Sequence, residues 1–208
     1  MSPLAASPCD AVDILKAVIM AIAWHLTFGM YGFWLPNDPR GSWSDFAFAK
    51  HLYVFGGATK VNTRHSRAYN THDRQKRLEA KKHLKFSPVH LTGDQALVVS
   101  RGFKQVVADT GLPVYACAIM PDHVHLVVGL HQRTVESLVS QLKSCATKQL
   151  TTAGKHPLEG QRSPWSRGYW LVYLDTPEDV QAAIQYVRQN PIRDGLREQN
   201  WSFVVPFE

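Results

Sequence analysis

Cysteine is scarce in this sequence, and no apolar run is long enough to cross a bilayer. The three cysteines, Cys9, Cys117 and Cys145, form no CxxC pair and no disulfide framework, as is typical of proteins from a reducing cytoplasm. The longest apolar run spans residues 17–28, whereas a membrane-spanning helix needs about 20 apolar residues. Acidic side chains precede this run, where a secretion signal requires positive charge. The sequence therefore predicts a soluble cytoplasmic protein with no membrane partner.

Charged residues are also few, and they are unevenly distributed. They make up 19% of the 208 residues against 45% hydrophobic residues, a composition that excludes global disorder and supplies one substantial core. The net charge is +6. Residues 60–85 contain nine Lys or Arg and two acids, a local charge of +7, so the rest of the chain sums to −1. This concentration predicts a surface that faces a polyanion, with a solvated charged helix or loop as the alternative.

Hydrophobic periodicity and turn residues predict a short series of helices and strands. A buried strand in residues 17–28, with a possible extension past Gly29, is followed by an insertion at about residues 35–85, helical in part over residues 73–85. The later elements are a helix over residues 92–109, strands over 114–119 and 123–130, a helix over 134–150 and a strand over 169–174. Without the insertion, the order is βαββαβ. This order predicts an α+β fold with a ferredoxin-like antiparallel sheet and helices on one face.

A further C-terminal helix has the clearest start signals. Thr176 suits the N-cap and Pro177 the first helical position, with acidic residues in the first turn. Its apolar stripe consists of Val180, Ala183, Ile184 and Val187. Pro191 and Gly195 are predicted to stop it. The whole chain, residues 1–208, is thus expected to be one domain that carries the 35–85 insertion.

The sequence His123-Val124-His125 begins the third predicted strand. Because side chains alternate across a strand, both imidazoles point to one face, about 7 Å apart along the strand. Two imidazoles in this relation can share one divalent metal ion. The same pattern also fits two hydrogen-bonded surface histidines, so the motif alone leaves both interpretations open.

A second polar pair lies on the C-terminal helix. Tyr186 and Asn190 are four residues apart and therefore share one helical face. That face lies at the margin of the apolar stripe. The pattern leaves open a functional role for this pair and a structural one, in which a boundary tyrosine packs its ring with its hydroxyl in water and an asparagine ends the helix before proline.

Three segments together resemble a known family. They are AIMPDHVHLVV at residues 118–128, WSRGY at 165–169 and YVRQNPIRDGL at 186–196. These resemble the REP-associated tyrosine transposases, which belong to the HUH single-tyrosine transposases of insertion sequences. The resemblance covers roughly residues 90–197 and the first strand at 23–28. The insertion at 35–85 is longer than the family pattern leads us to expect.

The resemblance implies an enzyme, a metal-dependent transposase and endonuclease. Tyr186 would be the catalytic nucleophile, and His123 and His125 would bind Mg²⁺ or Mn²⁺ with Asn190 completing the site. The implied reaction nicks and rejoins single-stranded, hairpin-containing DNA through a 5′-phosphotyrosine, by a monomer or a homodimer. A metal would neutralise charge on the phosphoryl oxygens. Since tyrosine has an ordinary pKa of about 10, it needs help to lose its proton, and His25 is one candidate base.

DNA contacts are expected from basic side chains of the insertion and of the C-terminal helix: Arg64, Arg67, Lys76, Arg77, Lys81, Lys82, Arg188 and Arg193. Arg197 could also meet a phosphate. Tyr31, Trp34 and Trp43 could stack on unpaired bases, or they could pack the insertion onto the sheet. Two alternatives to the transposase stay open, a repeat-DNA-binding protein without catalysis and a small-molecule metalloenzyme that uses the histidine pair.

Overall fold

The computed structural model describes residues 21–33, 35, 73–158 and 162–208. The elements in chain order are β1 (Ala23–Gly29), α1 (Arg74–Lys82), α2 (Gly93–Thr110), β2 (Val114–Ile119), β3 (His123–Gly129), α3 (Val135–Thr152), β4 (Trp170–Leu174) and α4 (Pro177–Arg193). In this part of the chain, no helix is both long and apolar enough to span a bilayer. Four predicted contact residues, Trp34, Trp43, Arg64 and Arg67, lie outside the described residues.

The four strands form one antiparallel sheet in the order β2-β3-β1-β4. Together with the βαββαβ order, this topology confirms the predicted ferredoxin-like fold. Its two central strands pair with Thr27 opposite His125 and Gly29 opposite His123. The C-terminal segment covers part of the β2 edge, where the side chain of Gln199 bonds both the N–H and the C=O of Ile119. The central strands are therefore paired on both sides, which holds their side chains in register.

Strand alternation gives the sheet two apolar faces. Leu26, Phe28 and Leu126 belong to the larger core, where α2 and α3 pack on the sheet. Ala118 and Val127 point the other way and belong to a smaller cluster with the apolar stripe of α4. In β1 and β3, the side chains at odd-numbered positions point towards this second face. The side on which α4 packs is therefore also faced by His25, Thr27, His123 and His125. The polar side chains of β1 and β3 thus lie between the sheet and the C-terminal helix.

Most predicted helix starts are confirmed. Thr92 and Thr176 form capping boxes with Gln95 and Asp179, and Thr134 accepts a hydrogen bond from the N–H of Ser137. Each cap satisfies backbone N–H groups that have no partner within the helix. Local sequence signals therefore decide where α2, α3 and α4 begin.

Two predicted boundaries are wrong. The first strand begins at Ala23, not at residue 17, since residues 21 and 22 are not in the strand and residues 17–20 lie outside the described residues. The strand ends at Gly29, and its possible extension past this residue is present as an isolated bridge from Met30 to Trp165. Helix α4 continues through Pro191 to Arg193. The fixed φ of proline is compatible with a helix, and Pro191 is buried in the last turn of α4. Gly195, at φ 73°, follows the helix end as predicted.

Gly102 lies where α2 and α3 make their closest approach. A Cβ atom at this position would lie 2.6 Å from the backbone N and Cα of Ala146. Alanine is favoured over glycine in a helix by about 1 kcal/mol, but the atoms in the way belong to backbone that cannot rotate aside. We expect Gly102→Ala to lower the free energy of unfolding by about 1–3 kcal/mol in urea denaturation.

Gly93 provides the control for this prediction. It is also in α2, and a Cβ there meets nothing within 4 Å. Gly93→Ala should therefore leave stability unchanged or slightly raised. Equal destabilisation by both changes would contradict the explanation by close helix packing.

Candidate functional site

The two histidines of β3 converge on one point. Their Nε2 atoms are 3.0 Å apart, and the rings lie at 89° to each other with centroids 4.7 Å apart. His125 is buried, with 7% of its surface exposed, whereas His123 is half-buried at the end of the strand. The alternation of β3 sets their common face, and pairing with β1 and β2 holds the strand straight. The two imidazoles therefore form a shared nitrogen site at the sheet surface.

The other ring nitrogen of each histidine has its own partner. His123 Nδ1 lies 2.7 Å from a carboxylate oxygen of Asp122, the preceding residue. His125 Nδ1 lies 2.9 Å from Thr27 Oγ1 and 3.1 Å from His25 Nε2. An ionised carboxylate only accepts, so Asp122 favours the His123 tautomer that carries its proton on Nδ1 and leaves the Nε2 lone pair available. The Thr27 hydroxyl can act as the acceptor for His125 in the same way. These contacts are compatible with metal binding through both Nε2 atoms.

The separation of the two Nε2 atoms fits a shared ion. Two nitrogens bound to one metal at about 2.1 Å, and at about 90° to each other, are about 3.0 Å apart. Among the described residues, no group of three or more His, Cys, Asp or Glu side chains is suited to hold a metal. The donor set thus consists of two imidazoles, and further ligands would have to be an amide, water or substrate oxygens.

His25 lies behind the pair and differs from it electrostatically. Burial disfavours the charged imidazolium and lowers the pKa of His25 to about 4. The side chain is therefore neutral at pH 7 and adds no positive charge beside His125. Its Nε2 atom is used in the contact with His125. The ring of His25 also lies next to that of Tyr186, but its Nε2 atom contacts His125.

Tyr186 reaches the histidines from a separate element. It lies on α4, and its ring contacts His125 edge to face, with centroids 5.5 Å apart at 87°. Its centroid is 5.8 Å from that of His25. The side chain is still 42% exposed, so one side of the phenol is open to a ligand. The fold thus brings Tyr186 beside a histidine 61 residues earlier in the chain, as the numbering gives.

The remaining predicted residues of α4 divide between two sides of the helix. Asn190 is half-buried one turn after Tyr186, on the same face. Arg193 follows on that side, with its guanidinium carbon 6.0 Å from the centre of the Tyr186 ring. Arg188 instead lines an open groove on the outer side of α4, together with Glu178 and Gln185. Arg193 is therefore near the tyrosine, and Arg188 is not.

Phe33 is a site residue that sequence analysis missed. Its ring stacks on His123, with centroids 4.6 Å apart at 16°. The space for this ring exists because residue 29, opposite His123, is a glycine. A Cβ at Gly29 would lie 2.3 Å from Phe33 Cδ1. The one sequence signal for this contact was a glycine at the strand end that is followed closely by aromatic residues.

This contact gives a testable prediction for Gly29. Gly29→Ala should push the Phe33 ring off His123 and lower the free energy of unfolding by about 1–3 kcal/mol. In a Phe33→Ala background the same change should cost much less, because the ring that blocks the Cβ is gone. Urea denaturation of the four proteins of this double-mutant cycle measures the coupling. An unchanged cost in the Phe33→Ala background would show that Phe33 is not the obstacle.

The WSRGY segment supports the same end of β1. The backbone N–H and the hydroxyl of Ser166 both bond to the carbonyl of Gly29, at 2.9 and 3.0 Å. Lys143 Nζ of α3 donates to the carbonyls of Ser166 and Gly168, at 3.0 and 2.7 Å. Burial lowers the pKa of Lys143 to about 8. These bonds fix the strand end that faces His123.

The basic residues of α1 border a cleft beside His123. The cleft has a volume of about 600 Å³ and is lined by Arg77 and Lys81, but not by Lys76 or Lys82. Lys76 instead lies 4.0 Å from Asp73, the N-cap residue of its own helix. Asp194, at the end of α4, also lines the cleft. Of the four cations of α1 that were predicted to contact DNA, two therefore line the cleft beside His123 and two do not.

The chain is similar to a known protein family and to two solved structures. A family model described as "Transposase IS200 like" matches residues 84–190, more than half of the chain. The chain also resembles the structure of a REP-associated tyrosine transposase bound to a REP hairpin, at 12% identity and a TM-score of 0.47, over 95% of this chain and 76% of that one. A candidate transposase from Deinococcus radiodurans R1 is similar at 19% identity and a TM-score of 0.41, over 82% and 90% of the two chains. No curated protein matches.

Proposed function

The chain belongs to the IS200-like transposase family, and from this premise we propose that it nicks and rejoins single-stranded, hairpin-containing DNA through Tyr186. We propose further that it resembles the REP-associated members in acting on hairpin repeats. The observation that carries the proposal is the contact between Tyr186 and His125. A nucleophile for a phosphodiester has to lie beside the group that stabilises charge on the phosphate.

In the proposed reaction, the Tyr186 oxygen attacks the scissile phosphorus. A phenolic O–P bond forms, the bond from phosphorus to the 3′-oxygen breaks, and the phenolic proton is balanced by the proton that the released 3′-hydroxyl gains. The product is a 5′-phosphotyrosine. Because the phosphodiester bond energy is conserved in this ester, a second 3′-hydroxyl can attack it and rejoin the DNA without another energy source.

His123 and His125 are the proposed ligands of a divalent metal through their Nε2 atoms, with Asn190 as the proposed third protein ligand. When bound, Mg²⁺ or Mn²⁺ would act as a Lewis acid that withdraws charge from the phosphoryl oxygens. With a metal bound, Asp122 and Thr27 would accept the Nδ1 protons, so that each Nε2 presents its lone pair to the ion. Neutral His25 fills the space behind His125 and adds no repelling charge.

The proposed DNA surface joins α4 to the insertion. Arg193 lies beside Tyr186, so it is suited to a phosphate next to the cut. The basic residues of α1, Lys76, Arg77, Lys81 and Lys82, would bind the DNA backbone, as would Arg64 and Arg67. Arg188 lies on the outer side of α4, so it would contact only DNA that extends past the site formed by Tyr186 and the histidines. We propose one transposase domain over the chain, decorated by residues from about 35 to 85.

We also propose that Tyr186 acts in cis, on DNA held by the histidines of its own chain. The support is that the tyrosine ring already packs on His125 and His25 within one chain. A monomer would then contain a complete site, and a homodimer would contain two. An exchange of α4 between subunits is not needed to bring the groups together.

The direct test is formation of a protein–DNA adduct. Purified protein is mixed with end-labelled hairpin oligonucleotides that have unpaired flanks, in Mg²⁺ or Mn²⁺, and resolved on a denaturing gel. The proposal predicts a species that survives denaturation, with its label on the 5′-phosphate side of the cut. An intact duplex should give little adduct. Cleavage without any adduct would show that water, not tyrosine, is the nucleophile.

A further inference from the structure

Helix α1 lies outside the segment that matches the transposase family, yet it forms one wall of the cleft at His123. Arg77 and Lys81 are four residues apart, so they project from one face of the helix towards this cleft. The same cleft is lined by Tyr31 and Phe33, which follow β1, and by His123 at the start of β3. The cleft thus has a cationic wall and an aromatic wall that meet beside the candidate metal site.

The position of α1 is fixed by the segment that follows it. In that segment, the N–H of Val89 bonds to the carbonyl of Tyr31 at 2.9 Å, and the N–H of Leu91 bonds to the carbonyl of Pro121 at 2.7 Å. Ala80 of α1 is fully buried. Because Pro121 is two residues before His123, these bonds tie the segment after α1 to the turn that precedes the histidine. The cationic wall is therefore held at the site instead of lying on a separate arm.

The charges around the cleft are separated. Asp122 and Asp194 also line it, on the sheet side and at the end of α4, and Asp122 already accepts the Nδ1 proton of His123. Arg77 and Lys81 lie on the α1 side. A phosphate in the cleft would be repelled from the carboxylates and attracted to α1. An aromatic ring system on the other wall offers a surface for stacking a base.

From these contacts we infer that the cleft binds an unpaired nucleotide of the substrate strand next to the scissile phosphate. Its phosphate contacts Arg77 and Lys81, and its base stacks against the aromatic wall formed by Tyr31 and Phe33. A volume of about 600 Å³ is within the range of small-ligand pockets. The inference rests on the proposed function and adds to it a role for α1, that of a positioning element for the single strand.

The test compares two charge-matched double variants. Arg77→Gln/Lys81→Gln removes the cations that line the cleft, and Lys76→Gln/Lys82→Gln removes the same charge from other faces of the same helix. Both are made in a Tyr186→Phe background, so that binding is measured without cleavage. Fluorescence anisotropy gives Kd across a salt series for a hairpin with short unpaired flanks and for the same hairpin with a blunt end.

We expect the cleft variant to bind the flanked hairpin about 10–100-fold more weakly, since it loses two charge-assisted contacts. Its salt slope should fall by about 1.4, or about 0.7 for each single-strand phosphate. Its affinity for the blunt hairpin should be nearly unchanged. The control variant should lose affinity for both DNAs to the same extent, because Lys76 and Lys82 are proposed contacts to the DNA backbone outside the cleft. If the cleft variant loses equal affinity for both DNAs, or if the control variant also loses more affinity for the flanked hairpin, the inference is wrong.

This experiment separates the inference from the proposed function. If wild-type protein forms no adduct but the two double variants differ as expected, the proposed cleavage is wrong and the cleft inference stands. If wild-type protein forms the adduct and the variants do not differ, the cleavage proposal stands and the nucleotide does not bind in this cleft. Circular dichroism of each variant checks that α1 and the sheet remain folded.

Discussion

Replacing Tyr186 with phenylalanine is expected to abolish the covalent protein–DNA adduct while leaving DNA affinity unchanged. The change removes one oxygen atom and keeps the ring that packs on His125 and His25. Loss of a covalent nucleophile lowers the rate by roughly 10⁴-fold or more. The measurement is single-turnover cleavage of an end-labelled hairpin oligonucleotide, with anisotropy for binding and peptide mapping of the wild-type adduct. Adduct formation by Tyr186→Phe would assign the nucleophile to another residue.

Tyr173 offers a matched control. It lies on β4 and is half-buried, and it pairs with Trp24, on the face of β1 opposite to that of His25. Tyr173→Phe should leave the adduct at the wild-type rate within about threefold, the scale of a change that affects only packing. If both variants lose the adduct, the loss reflects folding and not the nucleophile.

Mixing inactive variants tests whether the tyrosine acts in cis. We expect Tyr186→Phe and His125→Ala proteins to remain inactive when combined, since neither chain then contains both groups. Regained adduct in the mixture would mean that a tyrosine of one chain serves the histidines of another. That result would overturn the cis arrangement but would leave Tyr186 as the nucleophile.

Removing either histidine of the pair is the second change with a large expected effect. His123→Ala and His125→Ala should each abolish cleavage, and so should EDTA with wild-type protein, reversed by Mg²⁺ or Mn²⁺. The physical reason is that one imidazole cannot replace two converging Nε2 ligands 3.0 Å apart. Undiminished cutting in EDTA would contradict metal dependence altogether.

Metal binding also has a readout that does not depend on DNA. At a Mn²⁺ concentration of about 100 times Kd, occupation of the site contributes about 2.7 kcal/mol to wild-type stability. Thermal unfolding should therefore shift upward with Mn²⁺ in the wild type and much less in either variant. His131→Ala is the control, because His131 bonds to the carbonyl of Thr110 and lies beyond the other end of β3. An equal Mn²⁺ shift in all these proteins would place the metal elsewhere.

Local patterns were sufficient to predict much of the fold. The caps at Thr92, Thr134 and Thr176 satisfy nearby N–H groups, so short-range sequence specifies them. Strand β2 was predicted with its observed bounds, Val114–Ile119, because turn residues flank a short apolar run. Pro191 misled the prediction, because proline does not always stop a helix, and here it lies buried within the last turn of α4.

The sequence by itself determined that His123 and His125 share a face, because strand periodicity is a local property. It also determined that Tyr186 and Asn190 share a helical face and that the net positive charge is concentrated in residues 60–85. The family motifs led to the same residues. These features depend on residues a few positions apart in the sequence. The backbone geometry of one helix or strand sets the relative directions of their side chains.

Only the tertiary structure decided which elements meet. Strand register sets Thr27 opposite His125 and Gly29 opposite His123, and the packing of α4 brings Tyr186 onto the His125 ring. The hydrogen bonds of the segment after α1 place Arg77 and Lys81, but not their charged neighbours, beside His123. Such contacts join residues 30 to 98 positions apart in the sequence. They depend on how the strands pair and how the helices pack on the sheet, and no short stretch of sequence specifies either.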